Sequence, residues 1–191
     1  MPEKYIRQAN KNDSAEILAI YSKYIENTTI SFELKVPSLE DFTKRVETIS
    51  SSYPYLVYVE NDKIKGYAYA SKHKEREAYD YDVEVSIYLD QNCLSSGIGT
   101  ELYSVLFDIL PKQGFFNAYS GITVPNEKSE NIHKKFGFSN IGIYEKTGYK
   151  FGKWLDVKWL HKKLKSHEEK PEKIKKIGEL YQGENYIYKQ L

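Results

Sequence analysis

A turn with two glycines is the part of this sequence best suited to bind an anion. It spans Ser95 to Thr100, reads SSGIGT, and stands between a predicted strand and a predicted helix. Glycines let backbone amides approach a ligand closely, and the free N–H groups and positive dipole end of a following helix favour negative charge. A strand that turns tightly into a helix also uses glycines, so the turn alone leaves a purely structural role open.

Two well-known nucleotide-binding motifs do not fit this turn. A Walker loop ends in Gly-Lys-Ser/Thr, whereas Gly99 is followed by Thr100 and Glu101. A dinucleotide fingerprint needs a third glycine at the position that Leu102 occupies. The turn therefore favours a different phosphate-bearing cofactor.

Two ionisable side chains are candidates for moving protons. Glu84 lies within a predicted strand, Val83 to Leu89, whose alternation places it on the face opposite the apolar residues. His133 lies on a short predicted helix, and a histidine titrates near neutral pH, which suits an acid or a base. Each has a simpler interpretation as well: a solvated glutamate on a polar strand face, and a half-exposed histidine near a helix end.

A charged loop offers cations to an anionic ligand. Its segment Lys74-Glu75-Arg76-Glu77 contains an arginine, which can bind a carboxylate through two parallel hydrogen bonds. Most runs of alternating charge, however, are solvated loops without a ligand.

The remaining reactive side chains are assigned no role. Cys93, the single cysteine, is more consistent with a bystander thiol than with a nucleophile. His73, His161 and His167 lack the spacing of a metal site, and we expect no metal.

Hydrophobic periodicity predicts the elements that position these residues. Strands are predicted at 5–9, 55–59, 63–70, 83–89, 117–123, 139–146 and 154–163, and helices after Ser14, after Ser38, from Gly97 to about Pro111 and from about Glu127 to Phe136. The order β-α-α-β-β-β-α-β-α-β-β is typical of an α/β protein with a mixed sheet flanked by helices. Strict βαβα alternation, as in a doubly wound fold, is excluded.

Composition limits the kinds of binding partner and the cellular compartment that we expect. The 28 Lys and Arg and 27 Asp and Glu give a formal net charge of +1, which argues against nucleic acid or an anionic membrane as partner. A single cysteine, no signal-peptide core and no membrane-spanning apolar run favour a cytoplasmic location. Composition changes after position 165, so we predict one domain at 1–165 and a C-terminal extension at 166–191, either an appended helix or a flexible tail.

From about Tyr5 to Leu164 the chain resembles the GNAT superfamily of N-acetyltransferases, and within it the phosphinothricin and methionine-sulfoximine N-acetyltransferases. The similar segments occur in the same order with few gaps: YPYLV at 53–57, GYAYA at 66–70, KEREAYD at 74–80, VE at 83–84, IY at 87–88, GIGT at 97–100, LY at 102–103, VPN at 124–126, His133, GF at 137–138, GYK at 148–150 and GKWLDV at 152–157.

The resemblance implies a GNAT-like fold, with a mostly antiparallel twisted sheet in which a splayed strand pair holds acetyl-CoA. It implies direct acetyl transfer to an amine in a ternary complex, with Glu84 as the base and His133 protonating the leaving sulfur or assisting the base. A homodimer is also expected. The implied cofactor-binding residues are Ile87, Tyr88, Leu89, Ser95, Ser96, Gly97, Ile98, Gly99, Thr100 and Asn126, the first three through backbone amides that stabilise the oxyanion. The implied acceptor-binding residues are Phe32, Lys74, Arg76, Tyr79 and Val157.

Two departures from the family pattern stand out. The superfamily usually has Gln or Arg three residues before the first glycine, where this chain has Leu94 followed by two serines, so the turn offers no charge assistance to phosphates. Leu155 stands where close relatives carry a histidine. Other acceptors stay open at this point (a peptide N-terminus, a polyamine or a cellular amino acid), as does a non-catalytic acyl-CoA-binding module. Lys74 and Arg76 favour a small anionic acceptor over a polyamine.

Overall fold

One eight-stranded sheet organises the chain in a computed structural model, which describes residues 3–94, 96–168, 170–181 and 187–190. The strand order is β6-β7-β5-β4-β3-β2-β1-β8. The strands are β1 (Lys4–Gln8), β2 (Tyr55–Glu60), β3 (Lys63–Lys72), β4 (Asp82–Leu89), β5 (Asn117–Val124), β6 (Ser139–Lys150), β7 (Lys153–Lys163) and β8 (Ile187–Gln190). The helices are α1 (Ser14–Asn27), α2 (Leu39–Ser50), α3 (Ile98–Gln113), α4 (Glu127–Lys135) and α5 (Ile177–Leu180).

The centre of the sheet contains its one parallel pair, β4 with β5. Pairing covers only Asp82–Glu84 against Asn117–Tyr119, although β4 continues to Leu89 and β5 to Val124. All other described pairs are antiparallel. The expected mostly antiparallel sheet with a splayed strand pair is therefore confirmed.

Helices pack on both faces of the sheet, since β2 places Leu56 in one core and Val57 in the other. One core contains Leu102 and Leu106 of α3, both fully buried against the sheet. The second core contains Ile17 of α1 and Phe42 of α2, with exposed fractions of 0% and 2%. No helix in the described ranges is long and apolar enough to cross a membrane.

The predicted helix ends are confirmed where a side chain or glycine defines them. Ser38 caps α2, because its Oγ accepts a hydrogen bond from the Asp41 amide at 3.1 Å. Gly137, just after α4, has a φ of +81°, a conformation that glycine adopts at little cost.

β6 is longer than the sequence pattern predicts. It continues past position 146 to Lys150, and its register with β7 shifts between Tyr144 and Gly148. Lys146 within this shift has a φ of +48°. The irregularity breaks the alternation of side chains, and for that reason periodicity ends the strand too early.

The described residues after position 165 pack against the rest of the chain through a short helix and an edge strand. Ile177 of α5 is 5% exposed, and the Gln113 side chain donates to the Lys175 carbonyl at 2.8 Å. β8 pairs antiparallel with β1 and was not predicted, because a strand of four residues is too short to give a periodic signal.

Candidate active site

The gap between β4 and β5 forms one wall of a polar cavity. Residues from both strands and from the two neighbouring helices line it, including Val85, Ile87, Ser120, Thr123, Tyr103, Asn126 and His133. Because the strands separate after Glu84 and Tyr119, the facing edges of β4 and β5 no longer satisfy each other's backbone groups in this gap.

Strand alternation decides which backbone groups of β4 face the gap. The Tyr81 carbonyl accepts from Phe116 on the β5 side, whereas the Asp90 amide donates to Lys65 on the β3 side. An antiparallel strand alternates between these two directions, so the N–H and C=O of Ile87 point into the gap and those of Tyr88 point to β3.

Leu89 also points away from β3, but its backbone is already engaged. Its carbonyl accepts a hydrogen bond from the Tyr24 hydroxyl at 2.7 Å, and its amide lies 3.3 Å from the same oxygen. Of the three predicted backbone donors, Ile87 is therefore the one directed at the gap without such a partner among the described residues.

The glycine turn leads directly into α3. Gly97 has a φ of +91° and precedes the first residue of the helix, Ile98. A Cβ on Gly99 would lie 2.9 Å from Ile132 Cδ1, so the absence of a side chain lets α3 approach α4 closely. Ser96 uses its hydroxyl to donate to the Cys93 carbonyl at 2.6 Å. Ser95 lies outside the described residues.

Glu84 lies where two larger cavities meet. One cavity of about 610 Å³ and another of about 450 Å³ both have Glu84 in their lining. Its side chain is 35% exposed, and Oε1 lies 2.9 Å from Nδ1 of His73. The sequence assigned His73 no role, because this contact depends on the β3–β4 register, which sets Ser71 opposite Glu84.

Four of the five predicted acceptor-binding residues line these cavities. Phe32 and Val157 line the larger cavity, and Lys74 and Tyr79 line the smaller one. Arg76 is exposed and lies just before a short 3-10 turn, outside both linings. The structure thus brings Glu84 together with four of the five predicted residues and leaves Arg76 at the periphery.

The wall formed by Phe32 depends on a glycine in β6. A Cβ on Gly148 would lie 2.2 Å from Phe32 Cε2, so only glycine leaves room for the ring. Behind it, Lys150 donates a hydrogen bond to the Ser31 carbonyl at 2.7 Å, which fixes the loop that carries Phe32.

His133 is buried, with an exposed fraction of 2%. Its Nδ1 lies 2.7 Å from the Ser129 carbonyl, which can only accept, so Nδ1 carries the proton. Its Nε2 lies 3.0 Å from the Tyr103 hydroxyl and accepts from it. Burial lowers the pKa of His133. The alternative interpretation from the sequence, a half-exposed histidine near a helix end, is therefore wrong.

Asn126 caps α4. Its Oδ1 accepts from the Ser129 amide at 3.2 Å, and the residue also lines the cavity in the gap. One side chain thus begins the helix that carries His133 and faces the ligand space.

The other two histidines meet at Asn117. Nε2 of His161 and Nε2 of His167 lie 2.9 Å and 3.0 Å from Oδ1 of Asn117. In the part of the chain that the structure describes, no three His, Cys, Asp or Glu side chains form a group able to hold a metal ion.

Comparison with known proteins gives a consistent result. A family model described as "Acetyltransferase (GNAT) domain" matches residues 6–159. The chain is 32% identical over 166 residues to a phosphinothricin N-acetyltransferase of Streptomyces coelicolor, covering 85% of this chain and 97% of the relative. It is 29% identical to an L-methionine sulfoximine/L-methionine sulfone acetyltransferase of Salmonella typhimurium, with coverages of 85% and 95%.

A solved structure has the same fold. The GNAT superfamily phosphinothricin acetyltransferase from Sinorhizobium meliloti, in complex with AcCoA, superposes with a TM-score of 0.85 and 33% identity. The match covers 88% of this chain and 93% of that chain.

The burial of His133 predicts a loss of stability in acid. Because its pKa is lowered from 6.5 in the folded chain, the unfolded state binds more protons as the pH falls through that value. We expect the free energy of unfolding, measured by urea titration, to decrease from about pH 7 to about pH 5, and to decrease less in His133→Gln.

His161 provides the matched comparison for this measurement. Its pKa is also lowered, by burial and then by the charge of His167, so it contributes in the same direction. The two slopes are therefore compared in a His161→Gln background. Equal slopes with and without His133 would contradict the prediction.

Proposed function

This chain belongs to the GNAT acetyltransferase family, and we propose that it transfers the acetyl group of acetyl-CoA to the amine of a small amino acid-like acceptor of the phosphinothricin, methionine sulfoximine or methionine sulfone type. One observation carries this proposal: Glu84 lies at the junction of two cavities beside the gap between β4 and β5. The relatives named above act on acceptors of this kind, and the solved relative contains AcCoA.

The gap suits the extended, amide-containing arm of coenzyme A. The backbone of Ile87 points into it, and an amide-bearing ligand there would restore hydrogen bonds that β5 does not supply. The glycine turn and the first turn of α3 lie near the same gap, since a Cβ on Gly99 would lie only 3.4 Å from Cδ1 of Ile87 in β4. Their free N–H groups suit the pyrophosphate.

A lysine from α4 supplies the charge that the turn lacks. Nζ of Lys135 donates to Oγ1 of Thr100 at 3.2 Å, which brings an ammonium group to the first turn of α3. Leu94 and Ser96 in the turn carry no charge. A cation that comes from 35 positions further along the chain is not visible in the motif itself.

Glu84 is the residue that we assign as the base. An acceptor amine must lose a proton before its nitrogen can attack, and a carboxylate facing both cavities can take that proton directly or through water. The Ile87 N–H, directed into the gap, can donate to the thioester oxygen as negative charge develops on it.

His133 belongs to the cofactor side of the site as a neutral group. Burial keeps it uncharged, and its Nε2 accepts from Tyr103 rather than donating. We therefore do not assign His133 alone as the proton donor to the leaving sulfur. Instead, we assign the Tyr103–His133 pair, which lines the gap, as the polar group beside that sulfur.

The acceptor cavities suit an anionic amino acid-like molecule. Lys74 supplies a cation to the smaller cavity, where its ammonium lies 4.9 Å from the Tyr79 ring centroid. Phe32 and Val157 supply apolar wall to the larger one. Lys74 and Glu84 both line the smaller cavity, so an acceptor there can direct its acid group to Lys74 and its amine to Glu84.

We also place the protein in the cytoplasm, as a homodimer. The single cysteine supports a reducing compartment. The β6–β7 hairpin exposes six large apolar side chains, from 47% to 63% of their area: Ile141, Ile143, Tyr144, Tyr149, Phe151 and Trp154. Such a patch is typical of an interface.

The first test follows thiol release from acetyl-CoA with phosphinothricin, methionine sulfoximine, methionine sulfone, proteinogenic amino acids and spermidine. Glu84→Gln removes the base, so we expect kcat to fall by about 10²- to 10⁴-fold while acetyl-CoA still binds. Glu47→Gln, an exposed change on α2, is the control. Full activity in Glu84→Gln would reject the base; cofactor binding by wild type without turnover on any acceptor would favour a non-catalytic module.

Lys135→Met tests the contribution of the ammonium group. Methionine keeps the length of the side chain and removes its charge, so we expect the Kd for acetyl-CoA, measured calorimetrically, to rise about threefold to tenfold, with a weaker dependence on salt. Lys134→Met, its exposed neighbour on α4, is the matched control. If the two changes raise the Kd for acetyl-CoA equally, the ammonium group beside Thr100 makes no specific contribution to binding.

The dimer is tested by light scattering after size-exclusion chromatography. We expect twice the chain mass for wild type, and the monomer mass after Trp154→Lys, because a charge would be buried in the interface. Leu39→Lys changes a side chain that is 49% exposed on α2 and should leave the mass unchanged. A wild type that is monomeric at every concentration would refute the dimer.

A further inference from the structure

We propose that His73 is a positioning residue for Glu84, holding one carboxylate oxygen so that the other faces the acceptor amine. The proposal rests on the function proposed above, and it concerns a residue that the sequence left without a role. Nδ1 of His73 and Oε1 of Glu84 are 2.9 Å apart, a normal hydrogen-bond distance.

The chain brings these residues together through strand pairing. His73 directly follows β3, and Glu84 is two residues into the neighbouring strand β4. The antiparallel register places Ser71 opposite Glu84, so a side chain just beyond the end of β3 reaches the carboxylate. The His73 side chain is only 9% exposed, whereas that of Glu84 is 35% exposed.

Aromatic rings hold the imidazole in one orientation. The His73 ring stacks on Tyr119 with a centroid distance of 4.4 Å and an interplanar angle of 11°. Trp159 and Tyr79 meet it edge-on, at 6.1 Å and 6.2 Å. A ring fixed on three sides has lost its rotational freedom before any ligand binds, so its N–H direction is set by the fold.

The chemistry of the pair fixes the donor. An ionised carboxylate only accepts hydrogen bonds, so Nδ1 of His73 carries a proton and donates a hydrogen bond to Oε1. Glu84 has several rotatable bonds, and this hydrogen bond restrains them. Its second oxygen is then free for the amine, and small displacements of a reacting group are costly to rate.

The test uses two variants that separate the donor from the ring. His73→Phe keeps an aromatic ring on Tyr119 and removes the N–H, whereas His73→Asn removes the ring and keeps an amide N–H near the position of Nδ1. If positioning matters, His73→Phe lowers kcat about 10- to 100-fold, as expected for losing a hydrogen bond to a charged group, with little change in KM for the acceptor. His73→Asn recovers most of that loss.

A double-variant cycle shows whether His73 acts through Glu84. In a Glu84→Gln background the further change His73→Phe should cost little additional activity, because the group it positions has been removed. Acetyl-CoA binding and thermal unfolding of every variant identify any that fail to fold.

Several outcomes would overturn the proposal. They are equal activity of wild type and His73→Phe, equal loss in His73→Phe and His73→Asn despite intact folding, and an undiminished cost of His73→Phe in the Glu84→Gln background. Failure of the proposed function is distinct, because wild type itself would then show no acceptor-dependent thiol release.

Discussion

The separation of β4 from β5 after three residue pairs is the constraint on which the rest of the structure depends. A strand interior to a sheet normally satisfies its backbone on both sides, and leaving one side open carries a free-energy cost unless a ligand supplies the partners. Here β3 holds one side of β4 along its length, while the other side becomes a binding edge. The glycine turn, α3 and α4 lie around that edge, so the separation of β4 from β5 shapes both the fold and the ligand site.

Local chemistry was readable in the sequence wherever one element decides it. Alternation in β4 places Glu84 opposite the buried Val83 and Val85, as predicted. Asn126 begins α4 and Gly97 leads into α3, since caps and turns depend on residues close in sequence. The resemblance to the family predicted five acceptor-binding residues, and four of them line the cavities.

The contacts that the sequence missed at the site each join two separate segments of the chain. His73 reaches Glu84 through a strand register, Lys135 reaches Thr100 from another helix, and Tyr24 binds the Leu89 backbone from α1. No periodicity within one segment reports such contacts. The acceptor cavity also depends on a contact between distant segments, because the loop that carries Phe32 is fixed by Lys150. Burial lowers the pKa of this lysine.

The pairing of β8 with β1 has a consequence for biosynthesis. A ribosome makes β1 first among the strands and β8 more than a hundred residues later, after every other strand of the sheet has been made. Until residues 187–190 emerge, β1 has a neighbour only in β2, and its other side is an open row of backbone donors and acceptors. Open strand edges pair with strands of other chains, so the growing polypeptide exposes an aggregation-prone edge during most of its translation.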